Sequence, residues 1–161
     1  MNYYTSLGDV SQAEIYMDNV MNHVKKYGSP GNIENFYQAE LKFIKKEYSD
    51  ALELFREFNT GNQYLLQHVI DIRIAQSLWQ VGKQAEAIQV LEKFLITDPY
   101  HPEANHELAL LFSEQGNNEK AIELLSTFLS VWESADQEYR RARAARDKYD
   151  QLTSSLSRIS G

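Results

Sequence analysis

Four histidines, His23, His68, His101 and His106, are the first candidates for acid–base or metal chemistry. Two of them share the run His101-Pro102-Glu103-Ala104-Asn105-His106. A zinc helix needs ligands at i and i+4 on one face, and acid–base catalysis needs side chains that converge on one atom. Pro102 suits the first turn of a helix, where its missing N–H is not needed. His101 would then precede the helix and His106 would lie inside it, off the zinc spacing. The pattern reads as one loop histidine and one helix-face histidine, with no metal and no cofactor expected. No Gly-rich phosphate loop, nucleophile elbow or carboxylate pair stands out, so no enzymatic activity is expected.

The remaining charge-bearing cluster is Arg140, Arg141, Arg143, Arg146 and Lys148, interleaved with Glu138, Asp147 and Asp150 at spacings that permit local ion pairs. A locally balanced stretch of this kind reads as a solvated helix face. The whole chain of 161 residues carries a net charge of −7, which opposes a general nucleic-acid or anionic-membrane surface. Disulfide and thiolate chemistry are excluded by the absence of cysteine. No apolar run approaches the length of a membrane span, and Met1 to Val10 lacks the pattern of a secretory leader. With no address in the chain, the compartment is undetermined, cytoplasmic by default.

The elements that must position these side chains are helices. Seven glycines and three prolines are few for a β-rich chain, and Ala, Leu, Glu, Gln and Lys are plentiful. Between Asp71 and Phe128 one helix-turn-helix pattern is written twice at a spacing of 34 residues. Leu78 falls on Phe112, Gly82 on Gly116, Ala87 on Ala121, Ile88 on Ile122, Leu91 on Leu125 and Phe94 on Phe128. Leu66, Ile70, Ile74 and Leu78 step by four along a helix expected over Gln63 to Val81. Ala85 to Ile96, Ala104 to Gln115 and Glu119 to Val131 complete the two pairs. A third copy begins near Asn32, where Ala39 and Ala51 keep the interval of 12 seen between Ala75 and Ala87. Ser49-Asp50 can cap its second helix. Lys46 stands where the other copies have glycine, which predicts a different or slightly strained turn. Gly8, Ala13 and Met17 mark a partial copy, with Tyr3 to Leu7 as the tail of a helix and Val10 to about Lys26 as its partner. From Ala135 to about Ser157, Tyr139, Ala142, Arg146, Tyr149, Leu152 and Leu156 form the stripe of a final helix.

The set Leu78, Gly82, Ala87, Leu91 and Pro99, with its shifted copy Phe112, Gly116, Ala121 and Leu125, resembles the tetratricopeptide repeat, a 34-residue helix pair. The resemblance implies an all-α, right-handed α-solenoid of stacked antiparallel helix pairs with a C-terminal capping helix. It divides the chain into a partial repeat at 1–27, repeats at about 32–62, 63–101 and 102–133, and a cap and tail at 134–161. The first helix of each pair would line a concave face, where the non-core positions include Phe36, Tyr37, Glu40, Phe43, Arg73, Gln76, Trp79, Gln80, His106, Glu107 and Leu110. Phe43 and Trp79 have two readings, as anchors for a bound segment or as packing between neighbouring first helices. Arg73 could pair a ligand carboxylate. Relatives that hold acidic chaperone tails use Lys, Asn and Arg on successive first helices; Phe36, Glu40, Gln76, Glu103 and Glu107 occupy those places, so such a tail is not expected. The implied partner is a protein or peptide, with no nucleic acid and no membrane. A second class of function is self-assembly through the N-terminal edge around Tyr3, Tyr4, Ile15 and Tyr16, or a role as the C-terminal part of a larger repeat protein.

Overall fold

The computed structural model describes residues 10–28, 33–59, 67–132 and 140–159. Among them are eight helices and no strand: α1 (Val10–Tyr27), α2 (Ile33–Ile44), α3 (Tyr48–Asn59), α4 (Gln67–Gln80), α5 (Gln84–Thr97), α6 (Pro102–Glu114), α7 (Asn118–Val131) and α8 (Arg140–Ile159). Tyr3 to Leu7, the start of the long helix at Gln63, and Tyr139 lie outside the described residues. The chain forms two compact units, Met1–Lys83 and Gln84–Gly161, so the division falls within the span expected to be one repeat, 63–101.

Within the first unit α1 packs on α2, α2 on α3 and α3 on α4; within the second, α5 packs on α6, α6 on α7 and α7 on α8. Small residues stand at the paired positions. Ala39 and Ala51 in the pair α2–α3, and Ala109 and Ala121 in the pair α6–α7, are all fully buried. A larger side chain there would hold two helix axes apart. Around these crossings Phe55, Phe58 and Leu52 fill the first unit, while Leu91, Leu111 and Leu125 fill the second. Each fully buried Leu or Phe contributes roughly 1.5–3 kcal/mol relative to exposure.

The turns that follow α2, α4 and α6 are built alike. Lys46 N–H donates to the Phe43 carbonyl and Glu47 N–H to the Lys42 carbonyl. Gly82 with Lys83, and Gly116 with Asn117, repeat both bonds onto Trp79 and Leu78, and onto Ser113 and Phe112. This is the double C-terminal cap in which a left-handed residue closes the helix. The two glycines have φ of 81° and 77°, and Lys46 adopts 63°. The turn at Lys46 is therefore the same turn as the others, and the expected strain resides in a lysine held where glycine is at ease.

One helix start differs from expectation. α3 begins at Tyr48, with Ala51 N–H donating to the Glu47 carbonyl, so Ser49 and Asp50 sit inside its first turn instead of capping it. Asp50 accepts a 3.0 Å bond from Lys42, whose ammonium also reaches Glu47. α6 starts at Pro102 with His101 as its cap, the imidazole Nδ1 accepting from Ala104 N–H at 3.3 Å. α8 buries Ala142 and Leu152 from its expected stripe, and also Ala145, which that stripe did not include, while Arg140, Arg141 and Arg143 stay exposed.

Candidate functional site

In the first unit four of the sequence-derived candidates converge on one cluster. Arg73 on α4 donates from Nε to Glu40 Oε1 at 2.6 Å and from Nη2 to Glu40 Oε2 at 3.2 Å, bridging to α2. Its Nη1 donates to Gln76 Oε1 at 2.8 Å. The guanidinium carbon lies 4.7 Å from the centre of the Phe43 ring, within cation–π range. Arg73 and Glu40 are 8% and 5% exposed, so two charges out of water are held by mutual pairing and forked hydrogen bonds. The fork that could receive a ligand carboxylate is thus already filled by Glu40. Phe43 also meets Tyr48 edge-on at 5.4 Å between ring centres, and it is half-buried.

Tyr37 stands on the same helix α2, half-buried, with its ring edge-on to Tyr16 of α1 at 6.2 Å. Partial burial, then the adjacent Tyr16, pushes the Tyr37 hydroxyl above the ordinary phenolic range. Trp79 is half-buried near the end of α4, and Gln80 beside it is exposed.

In the second unit Glu107 is buried, and Leu110 and His106 are half-buried on α6. A cavity of about 190 Å³ opens here, lined by His101, Pro102, Glu103, His106, Phe128, Trp132 and Arg141. Its aromatic wall is continuous: His106 lies 5.1 Å from Phe128, and Phe128 lies 6.4 Å from Trp132. The lip carries Arg141 of α8, whose Nη1 donates to Glu103 Oε1 at 3.1 Å. His106 Nδ1 is buried without a hydrogen-bond partner among the described residues, 3.8 Å from Glu107 Oε1.

The cavity is positioned from behind by Asn105, which is buried and donates from Nδ2 to the carbonyls of Pro99 at 2.9 Å and His101 at 3.0 Å. These bonds hold the loop ahead of α6 and so place His101 and Pro102. Phe94 meets the His101 ring edge-on at 5.0 Å. On the other side Arg146 donates to the Trp132 carbonyl at 3.4 Å, placing a cation at the C-terminal end of α7. Phe128, Trp132, Arg141 and Asn105 were not among the sequence-derived candidates. His101 and His106 share the cavity, yet His101 spends its Nδ1 on the helix cap, and no cluster of three metal-ligating side chains occurs among the described residues. No helix among those residues is long and apolar enough to cross a membrane.

Comparison with known proteins places this architecture. The family model described as T7SS, ESX-1 secretion system protein EccA1, N-terminal domain, matches residues 2–156. The interferon-induced protein with tetratricopeptide repeats 3 of Mus musculus is 30% identical over 101 residues, which are 63% of this chain and 24% of that protein. The chain spans about a quarter of the length of that curated relative. The crystal structure of PcrH from Pseudomonas aeruginosa superposes with a TM-score of 0.68 at 12% identity, covering 78% of this chain and 96% of that one. PcrH in complex with the chaperone binding region of PopD superposes with a TM-score of 0.67 at 12% identity, covering 76% and 91%. The fold is an all-α helical repeat of the tetratricopeptide type.

Proposed function

Because the chain belongs to the family of the T7SS, ESX-1 secretion system protein EccA1, N-terminal domain, we propose that it is a non-catalytic binding module whose first helices hold a segment of another protein. The observation that carries this reading is the state of the side chains on α2, α4 and α6. Tyr37, Phe43, Gln76, Trp79, His106 and Leu110 are only half-buried, and Gln80 is exposed, although small and aliphatic residues fill the core positions of the same helices. Half-buried aromatic groups flanked by polar ones offer area and direction to a peptide. In this reading Glu40 and Arg73 in the first unit, and Glu107 in the second, act from beneath, each holding the half-buried side chains of its own unit in place. The likeness to PcrH, a protein crystallised with a segment of PopD, supports the same mode of action.

The test is selection of a random peptide library on the purified chain, followed by titration of an enriched peptide against Tyr37→Ala and Trp79→Ala. Binding weakened about tenfold or more by either change is expected, equivalent to 1.4 kcal/mol. Failure to enrich any peptide, or affinity untouched by both changes, overturns the reading.

A second reading is favoured by Ile15 and Tyr27 of α1, which are 55% and 65% exposed. Such apolar exposure suits association with a further helix pair, including that of a second copy. Light scattering that finds only monomer at high concentration would exclude self-assembly.

A further inference from the structure

We infer that the cavity between α6, α7 and α8 of the second unit receives a single cationic side chain, an arginine or a lysine, from the bound segment. This rests on the binding-module reading and adds the charge of the ligand to it.

The carboxylate in the cavity is half-used. Arg141 engages Oε1 of Glu103, and Oε2 has no partner among the described residues. Glu103 is 23% exposed at its side chain, so this acceptor is partly withdrawn from water, where a cation that reaches it is attracted more strongly than at an open surface. Other lining residues carry aromatic rings. Phe128, Trp132 and His106 offer ring surface to an aliphatic stem, and ring faces attract a positive head. At about 190 Å³ the space is below the range of small-molecule sites and suits one side chain.

The chain already solves the same problem elsewhere with its own residues. In the first unit the Arg73 guanidinium lies over the Phe43 ring and forks onto Glu40, so an aromatic face and a carboxylate together hold a cation. In the second unit the aromatic face and the carboxylate are present, and Arg141 reaches the carboxylate from the lip with a side chain 49% exposed. A guanidinium is therefore a group this carboxylate accepts, and Arg141 is an internal competitor for it. The net charge of −7 steers basic segments toward the chain.

The probe is N-acetyl-arginine methylamide, with the citrulline analogue as its uncharged match in shape. Each is titrated into the 15N-labelled full chain while the Trp132 indole N–H is followed. A saturable shift at Trp132, absent at Trp79, is expected for the arginine compound, with the citrulline compound about tenfold weaker or more. Glu103→Gln should weaken arginine binding by a similar factor, with a melting curve confirming that the variant is folded. Arg141→Ala should tighten binding about threefold by removing the competitor, an effect that a purely structural Arg141 would not give. Equal binding of the citrulline compound, retained binding in Glu103→Gln, unchanged or weaker binding in Arg141→Ala, or no saturable shift each overturns the inference. Peptides that bind Glu103→Gln as they bind the parent would sink this inference and leave the module standing. A library that enriches nothing would sink the module, because the arginine titration requires no peptide.

Discussion

Arg73 and Glu40, 33 positions apart in the chain, meet as a two-pronged ion pair that ties α4 to α2, with the guanidinium spread over the ring of Phe43. Both are almost fully buried. Removing one partner strands the other charge away from water, whereas removing both leaves nothing to solvate. Arg73→Met or Glu40→Leu alone should lower stability by about 3–5 kcal/mol in urea unfolding, and the double change should lie within about 1–2 kcal/mol of the parent. Additive losses in the double variant would show that the pair is not a unit.

Lys46 offers an opposite sign. Held at a φ of 63°, it carries a left-handed penalty that the glycines at the matching turns escape. Lys46→Gly should stabilise the chain by about 1 kcal/mol, and Gly82→Ala or Gly116→Ala should cost about 1–2 kcal/mol. A Cβ at either glycine would meet nothing within 4 Å, so the cost in those variants comes from backbone conformation alone. Thermal melts of the three variants suffice to check the signs.

Ser77 on α4 is fully buried, and its hydroxyl has no hydrogen-bond partner among the described residues. Burying an unmatched hydroxyl costs about 1–3 kcal/mol. Ser77→Ala should therefore raise the midpoint of urea unfolding; a lower midpoint would mean that the hydroxyl is satisfied in solution.

Tyr37 provides the pH dependence. Its hydroxyl titrates above 10.0 in the folded chain, first because burial disfavours the phenolate and second because Tyr16 stands beside it. A group whose folded pKa is raised contributes stability that is fully present below the unfolded value and is lost as pH rises through the folded one. Stability should therefore fall above about pH 10, and Tyr37→Phe should flatten that fall. An unchanged alkaline slope in the variant would assign the loss to other groups.

How much of this was readable beforehand follows from what each signal encodes. Gly82 and Gly116 announced their turns because only a residue without Cβ takes a positive φ freely. The interval between Ala39 and Ala51 pointed to a helix crossing because close approach demands small side chains at fixed spacing. Lys46 concealed that its turn is the same, since lysine gives no local sign of a left-handed backbone. The Arg73–Glu40 pair was equally hidden: periodicity assigns a residue to a helix face but not to a partner on another helix. Of the cavity's lining, only His106 was among the groove candidates, while His101 and Pro102 were read as the start of a helix. Phe128 reads as a core position in the repeat, and Trp132 and Arg141 enter from the ends of two helices whose junction no repeat spacing specifies.

The most direct test of the proposed peptide-binding role uses a library-selected peptide carrying a nitroxide spin label, with amide signals of the 15N-labelled chain as the readout. Broadening should concentrate on Ile33–Ile44, Gln67–Gln80 and Pro102–Glu114, the first helices that carry Tyr37, Trp79 and His106. Broadening concentrated instead on Tyr48–Asn59, Gln84–Thr97 and Asn118–Val131 would contradict the proposed role of the first helices.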